Sequence, residues 1–109
     1  MPKKFIIFFF EKSKRKPAEE FLRSLSKSTI AKSLRILDLL EIYGPLIGMP
    51  YVKKIAADLF ELRVRGREET RFLFTCRKNV IVIVHGFKKK KGKIPRKEIK
   101  TAQKRLTEI

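Results

Sequence analysis

The sequence predicts an α+β fold: a small, mostly antiparallel β-sheet with an N-terminal αα-hairpin on one face and a C-terminal helix. Three observations predict it. A β-rich apolar stretch opens the chain, two segments of helical period follow in close succession, and three strand-like runs with short connections lead into a last amphipathic segment.

Phe5 to Phe10, "FIIFFF", is apolar on both faces, which suits a buried strand. Pro17 occupies a first-turn position with Glu19 and Glu20 behind it, so a short helix is expected from Pro17 to Leu25 with Phe21, Leu22 and Leu25 inward. Ser28 can cap a second helix whose Ile30, Leu34, Leu37 and Leu40 repeat at helical spacing, with Gly44 as its stop. "LIGMPYVKKIAA" reads as an irregular connection punctuated by Gly48 and Pro50. The strands Asp58 to Arg65, Thr70 to Cys76 and Val80 to Phe87 are separated by "GREE" and "RKN", short enough for antiparallel hairpins. From Pro95 onward, Ile99, Ala102, Leu106 and Ile109 share one helical face.

A chain of 109 residues that is 43% hydrophobic is expected to form one domain, residues 1–109, around a single core. Against that core stands a formal charge of +17, from 28 Lys plus Arg and 11 Asp plus Glu. Self-repulsion of this size destabilises a compact state unless a polyanion or an acidic partner offsets it. Nucleic acid is therefore the leading partner class and an acidic protein the second, and no membrane partner is expected, because no segment reads as a basic amphipathic anchor. The apolar run near the N-terminus is too short for a signal sequence and no span of transmembrane length exists, which favours a cytoplasmic protein. Cys76 is the one cysteine, so no intramolecular disulfide forms. Acidic residues are sparse and not clustered at ligand spacing, so no metal or other cofactor is expected.

The alternation of the last two hairpins locates a candidate site. With "RKN" as a three-residue loop, Cys76, Phe74 and Phe72 oppose Val80, Val82 and Val84 on a fully apolar face, which is the core. The other face then collects Glu61, Arg63, Arg65, Arg71, Thr75 and His85 beside Leu73, Ile81, Ile83 and Phe87. In this register Arg71 lies opposite His85, and a five-residue loop brings Arg65 opposite Arg71. Adjacent cations across a strand pair destabilise a sheet, unless an anion sits between them or Glu61, Glu68 or Glu69 neutralises them. At the same end of the sheet, "HGFKKKKGKIP" places five lysines within Lys88 to Lys93.

The order strand, helix, helix, three strands, helix, with "LFELR", "TRFLF" and "VIVIVHGFKKKKGKIPRKEIKTAQKR", resembles the RelE/HigB-type toxins of type II toxin–antitoxin modules. "HGFKKK" followed by "P", "EI", "A" and "R" resembles their HigB-like, phage-derived branch. The resemblance implies a compact microbial ribonuclease-like fold and cleavage of messenger RNA in the ribosomal decoding site. It also implies a cognate antitoxin, often of helix-turn-helix type, that holds the toxin inactive. By that resemblance Arg71 contacts the scissile phosphate, and Lys89 or Lys88 is the basic residue just after the last strand. His85, Phe87 and Lys90 occupy the same strand end. RelE has a lysine where this chain has Glu61 and a tyrosine in its C-terminal segment, where this chain has none, so its base does not transfer. The related ParE-like toxins share the fold but act on DNA gyrase without cutting RNA, so a non-catalytic inhibitor or a basic RNA-binding protein is the alternative.

Metal-independent RNA cleavage requires a deprotonated ribose 2′-OH, a stabilised phosphate and a protonated leaving 5′-oxygen. Arg71 suits the phosphate because its guanidinium grips two oxygens and keeps its proton. His85, with an intrinsic pKa near neutrality, and Lys89 are the candidates for proton transfer, with Glu61 behind them. Arg63, Arg65, Lys88, Lys90, Lys91, Lys93, Arg96 and Lys97 are the expected RNA-binding residues, contributing salt-sensitive phosphate contacts.

Overall fold

The computed structural model describes residues 2–109. Its elements run β1 (Ile6–Phe9), α1 (Pro17–Arg23), α2 (Lys27–Tyr43), β2 (Val52–Ala56), β3 (Leu59–Val64), β4 (Thr70–Arg77), β5 (Val80–Lys88) and α3 (Arg96–Leu106). The strands form one sheet in the order β1-β5-β4-β3-β2, antiparallel except for the β1–β5 pair. The α1–α2 hairpin covers one face over Leu62, Val64, Phe72, Phe74, Ile81 and Ile83. On the opposite face α3 closes over Leu59, Leu73, Val84 and Phe87 through Ala102, Ile99 and Leu106. The expected α+β architecture is thus present, with a helical layer on each side of the sheet.

Local chemistry sets the helix ends. Pro17 starts α1 with Glu19 and Glu20 in its first turn and Arg23 in its last, an arrangement that suits the helix dipole. Helix α2 is capped two residues earlier than Ser28: the Ser26 hydroxyl accepts from the Thr29 N–H at 3.3 Å. Its inward stripe is Thr29, Ser33, Leu37 and Leu40, with Ser33 donating to the Thr29 carbonyl. Leu34, expected inward, is 49% exposed.

Gly44 ends α2 at φ 60° and ψ −154°, a conformation that is essentially glycine-only, and a Cβ there would strike the Phe5 ring. Gly44→Ala is therefore expected to cost about 2–4 kcal/mol from backbone strain and overpacking. Urea denaturation of wild type and variant measures it.

Three expectations about the sheet change. The opening apolar run is not a strand buried on both faces: β1 lies at an edge, parallel to β5, with Ile6 and Phe8 51% and 55% exposed and Ile7 and Phe9 packed on the helical hairpin. The stretch read as irregular contains β2, antiparallel to β3, with Val52 opposite Leu62 and Lys53 opposite Glu61. The β4–β5 connection is a two-residue turn, Lys78 and Asn79, since Arg77 pairs with Val80 and Lys78 takes a left-handed φ of 57°. That slip turns Ile81 and Ile83 toward the helical hairpin and Val82 toward α3. A bulge at Val84 restores the alternation, pairing Phe74 with Ile83 but Leu73 with His85. His85 and Phe87 consequently reach the α3 face after all. Arg71, however, pairs with Phe87 rather than His85, and Arg63 rather than Arg65 stands opposite Arg71.

Candidate nucleic-acid interface

The cross-strand pair Arg63–Arg71 would place two cations side by side, and Glu61 answers them. Its Oε1 accepts from Arg63 Nε at 2.8 Å, and its Oε2 lies 3.3 Å from Arg71 Nε. The Glu61 and Arg71 side chains are only 1% and 3% exposed. Arg71 also donates from Nη1 to the Thr70 carbonyl at 3.1 Å, and Glu69 stands 3.9 Å from the same nitrogen. Among the described residues, Glu61 Oε2 and Arg71 Nε lack an aligned hydrogen-bond partner, so their attraction is coulombic rather than directional. Burial disfavours the charged form of Arg71 and lowers its pKa, while Glu61 opposes that shift. Arg71 is therefore part of a buried Arg63–Glu61–Arg71 floor.

Above this floor lie two adjoining hollows. One, of about 510 Å³, is lined by Lys53, Ile55, Glu61, Arg63, Lys89, Lys93 and Ile99. The other, of about 410 Å³, is lined by Arg65, Glu69, Arg71, Lys89, Lys90 and Lys91. Lys89 and Gly92 border both, so Lys89 stands between them. The Lys89 amide donates to the Glu69 carbonyl at 2.8 Å, which carries the β4–β5 ladder one step past the strand and fixes the base of that side chain.

The remaining expected residues divide clearly. Arg63, Arg65, Lys90, Lys91 and Lys93 line the hollows, whereas Arg96 and Lys97 are exposed on the first turn of α3. Lys88 turns away, 3.2 Å from Glu68. His85 lines neither hollow. Its Nε2 is 2.8 Å from Glu98 and its Nδ1 3.3 Å from Arg105, while Arg105 also donates to the Val84 carbonyl at 2.8 Å. Because Arg105 can only donate, Nδ1 accepts and Nε2–H donates to Glu98, which defines a neutral imidazole. Burial pushes the His85 pKa below its ordinary value, with Glu98 opposing. The histidine thus ties α3 to β5.

Lys53 was missing from the sequence reading. It enters the site because β2 pairs with β3 and sets Lys53 opposite Glu61, and the signal was the β-branched Val52 and Ile55 around Lys53 and Lys54 in a stretch dominated by Gly48 and Pro50.

The β3–β4 loop that carries Arg65 is anchored by Glu68. Its carboxylate accepts from the Ser26 N–H at 3.1 Å and the Thr29 hydroxyl at 3.2 Å. Hydrogen bonds from Ser26, with Lys88 adding, draw its pKa down to about 2. A depressed carboxyl pKa contributes stability above the unfolded value of 4.5 that is lost as pH falls toward about 2. Glu68→Gln is expected to be less stable than wild type at pH 6. The gap should close between pH 4.5 and 2, as followed by denaturation midpoints across pH.

A five-stranded sheet with a helical hairpin on one face and a single helix on the other is a fold that this chain shares with an archaeal RelE. The crystal structure of the archaeal RelE–RelB complex from Pyrococcus horikoshii OT3 superimposes with a TM-score of 0.55 at 20% identity, covering 82% of this chain and 99% of that one. Residues 20–107 match the family described as phage derived protein Gp49-like, and the chain belongs to that family. No curated protein sequence matches it. Among the described residues, no helix is long and apolar enough to cross a membrane.

Proposed function

We propose that this protein is the toxin of a type II toxin–antitoxin module and a metal-independent, ribosome-dependent messenger RNA endonuclease of the cytoplasm. The observation that carries this reading is Lys89, fixed between two cation-lined hollows over a buried, ion-paired floor. A phosphodiester seated on Lys89 would place one nucleotide in each hollow, with Arg65, Lys90 and Lys93 beside the chain. Cleavage joins the 2′-oxygen to phosphorus and breaks the bond from phosphorus to the 5′-oxygen. The 2′-OH loses a proton and the 5′-oxygen gains one.

Lys89 offers the direct phosphate contact, and Arg71 acts from beneath as a fixed positive charge. His85 serves as a positioning residue, because both of its ring nitrogens are committed to α3. The RelE relative is solved as a complex with RelB, and the charge of +17 favours an acidic surface on such a partner. A cognate antitoxin, expected to be of helix-turn-helix type, fits that role.

A non-catalytic RNA binder is the second reading, favoured by the burial and pairing of Arg71. Induction in bacteria followed by mapping of messenger RNA 5′ ends separates the two. New ends within translated messages, absent with Lys89→Ala, support the nuclease. Growth arrest without new ends defeats it.

A further inference from the structure

The outward face of α3 carries Arg96, Lys97, Lys100 and Lys104, all exposed. Spacings of three and four residues put these like charges side by side, each such pair opposing the helix by about 0.2–0.5 kcal/mol. Arg96 and Lys97 also sit at the helix N-terminus, where the dipole disfavours cations. The nearby carboxylates are engaged mainly elsewhere: Glu98 is bonded to His85, and Glu108 pairs with Lys12 at 2.8 Å while also attracting Lys104. Among the described residues, none of the four takes part in an ion pair. Elsewhere on the molecule carboxylates offset some of the cations, as Glu20 does Arg15 and Asp58 does Arg77.

This face begins beside the groove, because Lys93 of the first hollow lies three residues before Arg96, where α3 starts. The 11-residue helix extends about 16 Å, with cations recurring at about 6 Å from Arg96 to Lys100 to Lys104. Such a row suits the repeating phosphates of a single RNA strand. An acidic peptide has no such obligatory repeat of charge.

We propose that the outer face of α3 is a second RNA-backbone contact, which takes the phosphates of a strand as it leaves the groove toward Lys104. The proposal rests on RNA being the ligand of the groove and enlarges its footprint. Arg96 and Lys97 form the near end of this track, and Lys100 and Lys104 the far end.

The test is fluorescence anisotropy of the intact protein across a salt series. One labelled RNA is short enough for the groove alone, and the other is long enough to reach Lys104. In Lys100→Gln/Lys104→Gln the salt slope for the long RNA should flatten by about 1.4, two contacts at about 0.7 each, with the short RNA unaffected. A matched control, Lys27→Gln/Arg35→Gln, removes the same charge from α2 on the opposite side of the sheet and should leave both slopes unchanged. If wild type binds both RNAs and the α3 variant is indistinguishable from it, or the control flattens the slope equally, the track is wrong and the groove reading stands. If wild type binds neither RNA, both fall together.

Discussion

Replacement of Lys89 by alanine is expected to lower messenger RNA cleavage by about 10²- to 10³-fold, the range for loss of one preorganised charge donor to a transition state. Stability should stay within about 0.5 kcal/mol, because among the described residues no ion pair involves Lys89, which is anchored by its backbone amide rather than by its ammonium. Quantitative primer extension on a translated message gives the rate, and thermal unfolding the stability. An active Lys89→Ala protein would remove the residue on which the proposed site is centred. A variant that fails to fold would show instead that the lysine stem packs structurally. Lys89→Arg should recover a large part of the binding, since the charge is kept.

Glu61→Ala should behave in the opposite way, with its largest effect on the fold. Removing this carboxylate leaves Arg63 and Arg71 facing each other across β3 and β4, with Arg71 almost wholly buried. Breaking a buried ion pair from one side costs about 3–5 kcal/mol, since the surviving charge is left uncompensated. For a chain of 109 residues this corresponds to a fall in Tm of about 12–20 °C at roughly 4 °C per kcal/mol. Differential scanning calorimetry measures it directly. A Tm within a few degrees of wild type would mean that solvent or Glu69 stabilises the arginine pair without Glu61. The comparison of the two variants separates a residue that works on the ligand from one that holds the site together.

The layers of the fold were legible because periodicity reports burial, and burial dominates here. Phe72 and Phe74 against the helical hairpin, and Ile99 with Ala102 against the sheet, follow from sequence spacing. Strand β1 misled because a run of six apolar residues says nothing about which neighbours cover them. As an edge strand it leaves Ile6 and Phe8 exposed. Strand β2 was hidden by Gly48 and Pro50, whose turn signals outweighed the β-branched Val52 and Ile55.

The site was legible in part, since Arg63, Arg71 and Lys89 do share one end of one sheet face. Register was the obstacle. The Lys78–Asn79 turn and the Val84 bulge are each a one-residue departure, and only their sum restores the alternation by His85. What that alternation left undetermined was ownership: His85 belongs to α3 through Glu98 and Arg105. Arg71 likewise belongs to Glu61 before any ligand arrives.

The uncovered β1 edge bears on how the free protein behaves in solution. An apolar edge strand is a template for pairing with another chain, and two copies meeting there would hide Ile6 and Phe8 from water. The mutual repulsion of two bodies each carrying +17 keeps them apart at low ionic strength. Added salt shortens the reach of that repulsion, to about 3 Å at 1 M. Colloidal stability of this chain is thus electrostatic, and salting should drive it toward edge-to-edge association.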